Sequence, residues 1–522
     1  MKEQKYIYNL GQLFHNITLT HKDKVAIKFT SGGNSTYSEI DSLSNKIARY
    51  LLNIGIERND VIAILNNKSE ISYSIMLACL KIGAVYTNLD PASPIERFNK
   101  MIGLCNPKIF FYFKNSEKST VAEEFILNRI KGIEYNIPAF SESLSSYENS
   151  FPEYNKSVTG NTPAYIMFTS GSTGFPKGVV ITHSNILNFI EWSKFTYCTT
   201  SDDVFTNINP MHFDNSVFDF YASLFTGASL IPAGEDLTRN PRRLLDAINP
   251  LGPTIWFSVP SMLVYVLKMR ALKETDLPVL RIVTFGGEGF PKNQLRLLWS
   301  YWGHRAKFIN VYGPTECTCI CSSYRVTGED LLNDELLPLG PIAPNFSFII
   351  TDSNGEIVKN GDVGELCIGG PNVGLGYYNN PGKSKEVFVD NPYISTHTEK
   401  IYKSGDLVRF EKESNLLFFA GRKDNQIKRM GYRIELEEVE AALNSLPYNS
   451  ETAVIYLNTE KVKEKIFACI CGEEHNGERI SSDLNRLIPS YMKPDEYVFY
   501  EHLPKNQNGK IDRLILKENC NK

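Results

Sequence analysis

The sequence predicts an α/β protein: a large first part with helix-covered parallel sheets and a small β-barrel-like piece, followed by a small α+β tail. Three observations carry this reading. Apolar strand-like runs alternate with helical periods up to about residue 340, the rhythm then changes to short strands between Gly, Asn and Asp turns, and a charged helical period opens the tail. A chain of 522 residues is also too long for one core, so two or more domains are expected.

In order, DVIAIL (60–65) precedes the helical pattern SYSIMLACLKIG, AVYTNL (84–89) precedes PIERFNKMI, and KIFFYF (108–113) follows. The stretch SESLSSYENSFPEYNKSVTGN (141–161) reads as a flexible connector. After residue 200, VFTNINP leads to SVFDFYASLF, TIWFSVP to SMLVYVLKM, and RIVTFGG to NQLRLLWSYW. A strand followed by a helix, repeated, is the pattern of a parallel sheet with helical crossovers, and ligands of such sheets sit at the carboxyl ends of the strands. The strand-end segments TSGSTG, HFDNS, SVPS, FGGEG and NVYGPTE are therefore expected to converge on one crevice. FSFIITD, GELCIGG and NLLFFAG read as the short strands of the barrel-like piece, and RIELEEVEAALNSL, ETAVIYL and KIFACICG as the helix and strands of the tail.

Composition narrows the function classes. A hydrophobic content of 42% with 22% charged residues is ordinary for a soluble enzyme, and no run approaches the roughly 20 apolar residues that cross a bilayer. The start, MKEQKYIYNL, lacks the apolar centre of a secretion signal, so a cytoplasmic location is expected. A formal charge of −4 offers no basic field for nucleic acid. Ten scattered cysteines fit reduced thiols. Cys317, Cys319 and Cys321 alternate, which suits one face of an extended strand lined by small apolar side chains rather than a zinc site.

The segment AYIMFTSGSTGFPKGV (164–179) carries the first chemistry. A strand-like run, Tyr165 to Thr169, breaks into Ser170, Gly171, Ser172, Thr173 and Gly174 and then reaches Lys177. Exposed backbone N–H groups, three hydroxyls and an ammonium are all donors that suit phosphate oxygens. It is not a Walker A loop, because Phe175 and Pro176 separate Gly174 from Lys177, and GYYNNPGKS (376–384) has one residue too many. The bland alternative for so much Ser, Gly and Thr is a solvated surface loop.

This loop, FDNS (213–216), NVYGPTE (310–316), GELCIGG (364–370), YKSGDL (402–407), GRKDNQIKRMGYRIELEEVE (421–440) and NGKIDR (508–513) occur in that order. Together they resemble the core motifs of adenylate-forming enzymes of the ANL superfamily, specifically the amino acid adenylation domains of nonribosomal peptide synthetases. GGEG (286–289) is similar to the corresponding loop of D-alanine–carrier protein ligases. The resemblance spans nearly the whole chain. It implies an ATP- and amino-acid-binding adenylation core over residues 1–423 and a mobile tail domain over 424–522 that carries a catalytic lysine, with a hinge near Asp424.

The resemblance also implies the chemistry: a carboxylate attacks the α-phosphate of ATP, giving an acyl-adenylate and pyrophosphate, and a thiol then displaces AMP to form a thioester. Thr169, Ser170, Gly171, Ser172, Thr173, Gly174 and Lys177 would cradle the pyrophosphate, and Gly286, Gly287, Glu288 and Gly313 would line the nucleotide. Asn310 and Tyr312 would meet the adenine edge and face, Thr315 the α-phosphate, Glu316 a Mg²⁺ ion, Asp406 the ribose hydroxyls, and Arg422 and Lys428 the ribose and phosphate. Lys510 would bridge the substrate carboxylate and the α-phosphate, although alone it reads as a solvated charge on a Gly turn. Gly431 is expected to let a thiol arm pass once the tail has rotated.

For the acid, the resemblance makes Asp214 the partner of a substrate ammonium, and a carboxylate in an apolar pocket does want a cation. The alternative is that Asp214 only caps the helix that follows. Asn215, Phe218, Ser258, Val283, Phe285, Val311, Cys319 and Ile320 would complete the pocket, which favours a small amino acid without a charged side chain. No phosphopantetheine-bearing segment follows Lys510, so a separate carrier protein is the expected partner, with no nucleic acid and no membrane. The alternative activity is an acyl- or aryl-CoA ligase, which would not need Asp214; a silent homologue is disfavoured because Lys177, Glu316, Asp406 and Lys510 are all present.

Overall fold

A computed structural model describes residues 6–114, 130–171, 175–459, 461–472, 476–506 and 511–521. Of the candidate site residues, Ser172, Thr173, Gly174 and Lys510 lie outside this range.

The strands Val61–Leu65, Val85–Leu89 and Ile109–Tyr112 are buried along their whole length, as strands covered on both faces must be. They pair in parallel at the centre of a seven-stranded sheet, which Pro163–Thr169 joins in parallel and Lys177–Thr182 extends antiparallel. A second sheet of eight strands runs through Val204–Asn207, Ile255–Ser258, Ile282–Gly286 and Lys307–Tyr312, all parallel. The helices between the sheets are apolar on several faces. Tyr73 of Glu70–Ile82 stacks on Phe220 of Asn215–Leu224 with ring centroids 5.8 Å apart, and one core cluster draws residues from both sheets. A second cluster, with Trp256, Val283, Phe285 and Trp302, fills the outer face of the eight-stranded sheet, and Phe98, Met101 and Phe110 cover the outer face of the other. The result is a stack of helix, sheet, helix, sheet and helix layers.

The expected antiparallel piece is a five-stranded sheet containing Ser347–Thr351, Val363–Gly369, Lys400–Glu411 and Leu416–Arg422. Its last strand ends at Arg422, and the hairpin Gln426–Arg429 with Tyr432–Glu435 begins the tail. The tail continues through the helix Leu436–Asn444 and a three-stranded sheet of Asn449–Leu457, Lys465–Gly472 and Glu496–Phe499, with a core on each face.

Two expectations differ from the structure. The stretch 141–161 is held in place rather than free: buried Asn155 donates to the Lys81 carbonyl at 3.0 Å, Asn45 donates to the Asn149 carbonyl at 2.7 Å, and Phe151 stacks on His15. Its polar composition reflects side chains that bond to backbone, which composition alone does not separate from solvation. Cys317, Cys319 and Cys321 are buried as expected but do not share a strand face. Thr315–Cys317 is a 3₁₀ turn, Thr318 and Cys319 take positive φ of 59° and 73°, and the strand starts at Ser322. Among the described residues no cluster of His, Cys, Asp or Glu is arranged to hold a metal, and no helix is long and apolar enough to cross a membrane.

Candidate active site

All five strand-end segments named from the sequence line one cavity at the carboxyl edges of the two sheets, SVPS through Val259. Thr169 and Ser170, Phe213 to Asn215, Gly286 and Gly287, and Gly313 to Thr315 all contribute to its wall, as do Val311, Cys319 and Ile320. The tail closes the cavity with Gln426, Lys428, Met430, Gly431, Tyr432, Arg433 and Tyr491. This docking is specific: Tyr432 stacks on Tyr491 at 3.7 Å and meets Phe213 edge-on at 5.1 Å, while the Gly431 N–H donates to Glu288.

Asp214 stands at the start of the helix Asn215–Leu224, yet its side chain makes no capping hydrogen bond. It instead accepts the Thr315 hydroxyl at 2.5 Å and faces the cavity. Burial pushes its carboxyl above the ordinary range and nearby Glu316 adds to this; the Thr315 hydrogen bond and the charge of Lys428 oppose the rise. A carboxylate so placed is stabilised by an entering cation.

The remaining pocket candidates divide by strand face. Successive side chains of a strand point to opposite sides. Val283 and Phe285 lie on the outer face of the eight-stranded sheet and pack against Phe290 and its neighbours, so they are core residues and not cavity wall. Ser258 faces the same way; its hydroxyl accepts from the Trp256 indole at 2.8 Å. The wall residues at that strand end are Phe257 and Val259, one position to either side, and Gly286 and Gly287 line the cavity where Val283 and Phe285 were expected. Phe218 is fully buried behind Phe257, ring centroids 5.1 Å apart.

The candidate phosphate loop reaches the cavity through Thr169 and Ser170. Among the described residues the buried Thr169 hydroxyl has no hydrogen-bond partner, and Thr169 lines the cavity. The Ser170 hydroxyl donates to the Arg433 carbonyl at 2.8 Å, the Gly171 N–H donates to Glu438 at 3.1 Å, and the Lys177 ammonium pairs with Glu435 at 3.2 Å. Burial, reinforced by Arg433, pushes the Lys177 pKa down, and the Glu435 and Glu316 carboxylates oppose this. Glu316 is completely buried. Burial alone would raise its pKa, but the Arg433 and Lys177 charges and the Tyr377 hydroxyl, which donates at 2.8 Å, bring it down to about 2. Arg433 reaches Glu316 at 2.9 Å.

The nucleotide candidates are arranged around Asp406. It accepts from the Tyr312 hydroxyl at 2.6 Å and from Arg422 at 2.7 Å, and Arg422 also pairs with Asp424 at 2.6 Å. The Lys428 ammonium sits 5.5 Å from the Tyr312 ring centre. Asn310 and Glu288 are engaged elsewhere: the Asn310 amide donates to the Pro338 carbonyl at 2.8 Å, and Glu288 accepts from the Ser261 and Gly431 N–H groups.

Motif reading passed over five residues. Arg97, on the helix Ile95–Cys105, lines the cavity and pairs with Glu438; its only sequence signal was a cation in PIERF beside a strand end. Arg433, Glu435 and Glu438 stood inside the segment from residue 421 to 440 without a role. Phe257 was missed by one position of strand register.

Residues 14–378 match the family model described as AMP-binding enzyme, and residues 438–510 the model for the AMP-binding enzyme C-terminal domain. The chain is 32% identical to the D-alanine–D-alanyl carrier protein ligase of Bacillus licheniformis over 92% of this chain and 94% of that one. It is 31% identical to the L-proline–[L-prolyl-carrier protein] ligase of Pseudomonas fluorescens over 92% and 93%. Among solved structures, NpsA-ThdA, an artificially fused adenylation–PCP di-domain NRPS from Klebsiella oxytoca, superimposes with a TM-score of 0.80 at 22% identity, covering 94% of each chain, which speaks for the fold alone. With the matched family model spanning well over half its length, this chain belongs to the AMP-binding enzyme family.

Proposed function

We propose that this protein is an ATP-dependent ligase that adenylates a small, uncharged amino acid and passes it to the phosphopantetheine thiol of a separate carrier protein. The observation that carries the reading is Asp214: a carboxylate facing the cavity, not used as a helix cap, beside a wall of Phe257, Val311, Cys319 and Ile320. An amino acid ammonium is its natural partner. The same wall, narrowed by Phe257, leaves space for a small side chain, and Asn215 offers it a neutral hydrogen bond. Relatives named as carrier protein ligases for D-alanine and L-proline support this class of substrate and partner.

In the reaction a substrate carboxylate oxygen bonds to the α-phosphorus while the bond to pyrophosphate breaks. The protein supplies positioned charge more than a nucleophile. Lys177, the Gly171 N–H and the Thr169 hydroxyl take the leaving phosphates, Thr315 the α-phosphate, and Asp406 with Arg422 and Lys428 the ribose side. Lys510 is assigned, from the motif, to bridge the two reacting anions. Mg²⁺ is commonly held by one or two carboxylates plus substrate phosphates. Glu316, buried and ionised at neutral pH, fits that pattern and would hold the ion once Arg433 leaves it. Bound there, Mg²⁺ would offset charge on the phosphates. Asp424, between the last strand of the antiparallel sheet and the tail hairpin, is the proposed hinge, dividing the chain into 1–423 and 424–522.

The test is pyrophosphate release with ATP and Mg²⁺ over L- and D-amino acids plus short fatty and aryl acids, with hydroxylamine to capture adenylates. One small amino acid should stand out, and Asp214→Ala should abolish its signal. A response only to acids without an amine would replace this reading with that of a CoA ligase.

A further inference from the structure

The cavity wall holds a polar side chain to which neither the sequence motifs nor the reaction above gives a role. Asn209 lines the cavity, and its amide nitrogen has two partners, the Asp219 carboxylate at 3.0 Å and the Phe257 carbonyl at 3.1 Å. Both partners are acceptors, so the nitrogen must face them and both N–H groups are spent. The amide oxygen is then the polar atom left for a ligand, and among the described residues nothing donates to it. Asn209 is also held in this orientation. The Asp219 oxygen that accepts from it accepts from Asn207 at 3.0 Å, and the Asn207 oxygen takes the Tyr73 hydroxyl at 2.6 Å, all inside the core. Turning the Asn209 amide over would deprive a buried carboxylate of a donor and set oxygen against oxygen.

The anchors decide which part of a substrate this oxygen meets. Asp214, the proposed ammonium partner, stands before the helix Asn215–Leu224, and Asp219 lies five residues on, about 7.5 Å farther along the axis. Tied to Asp219 and to the backbone of Phe257, which narrows the pocket, Asn209 addresses the side chain of the amino acid and not its ammonium. A fixed acceptor requires a donor there. Asn215, in the same wall, can both donate and accept. The smallest neutral group that donates to the first and accepts from the second is a hydroxyl. We propose that Asn209 is a specificity-determining residue and that the substrate is a small amino acid bearing a side-chain hydroxyl, whose O–H donates to the Asn209 amide oxygen. The inference rests on the reading of Asp214 as the ammonium partner and deepens it by naming the side chain.

The experiment compares amino acids that differ only in the hydroxyl, serine with 2-aminobutyrate and threonine with valine, each in both hands, by ATP–pyrophosphate exchange in the full chain. In the wild type, kcat/KM for a hydroxy acid should exceed that of its isostere by about 5- to 150-fold, the cost of burying an acceptor without its donor. In Asn209→Ala that ratio should fall to about one. A ratio taken within one protein does not depend on how much of it is folded, and the wild-type comparison needs no variant at all. A wild-type ratio of one or below, a ratio that survives Asn209→Ala, or activation of another amino acid but none of these four overturns the inference and leaves amino acid activation standing. Exchange only with acids that lack an amine overturns the Asp214 reading and this inference with it.

Discussion

Replacing Gly431 by leucine separates the two half-reactions. Gly431 has a φ of +81°, lines the cavity and packs on Val259. A Cβ added there would lie 2.8 Å from one Val259 methyl and 3.0 Å from the other, closer than carbon atoms tolerate. Forced overlap of this kind costs about 1–3 kcal/mol, or about 5- to 150-fold in whatever step needs the docked tail. The left-handed backbone adds about 1–2 kcal/mol, but it weighs on every orientation that keeps the turn and does not discriminate. Transfer from a preformed adenylate to the carrier should fall by that factor, while adenylate formation, read by pyrophosphate exchange, changes by no more than about twofold. Val259→Ala removes both methyls, so the double variant should recover part of the transfer rate, with a coupling energy measurable in the cycle. Equal losses in both half-reactions, or no recovery with Val259→Ala, would refute the steric reasoning.

Three further outcomes are expected. Asp214→Asn should lower kcat/KM for the amino acid by about 30- to 5,000-fold, since removing one partner of a buried charge pair costs about 2–5 kcal/mol; in the wild type, amino acid KM should rise as pH falls through the raised Asp214 pKa, and the variant's profile should be flat. Phe257→Leu should widen acceptance toward larger side chains, whereas Ser258→Ala, on the outer face, should leave the substrate panel unchanged. Asp41, buried against Lys81 at 2.6 Å, is driven up by burial but brought down to about 2 by Lys81 and His15, from an ordinary 3.8. A lowered carboxyl stabilises the fold above its unfolded pKa and loses that contribution as pH falls from about 4 to 2, here at most about 2 kcal/mol; burial pushes the Lys81 pKa down and offsets part of it. Thermal melts of Asp41→Asn should show a deficit against wild type at pH 7 that narrows over that range.

Much of the fold was legible because its signal is local. The runs at 60–65, 84–89 and 108–113 became the buried strands Val61–Leu65, Val85–Leu89 and Ile109–Tyr112, since a strand covered on both faces must be apolar throughout. Which side a residue of a strand faces was less secure. Ser258 and Phe257 exchange places with a register change of one, and nothing in a run apolar on both faces marks which side holds the cavity. The polar stretch 141–161 misled for a related reason: Asn155 is buried, and its role depends on the Lys81 carbonyl, 74 residues earlier in the chain.

The sequence by itself determined the layered α/β architecture, the tail, and the residue types that gather at the strand ends, because hydrophobic period and motif order are properties of neighbouring residues. Only the tertiary structure decided that Asp214 faces the cavity instead of capping its helix, that Phe257 and not Ser258 forms the wall, and that Arg433, Glu435 and Glu438 meet Glu316, Lys177 and Gly171. Those contacts join residues more than a hundred positions apart on separate domains. Their energy comes from removing paired charges from water together, and that pairing exists only once both domains have folded and docked.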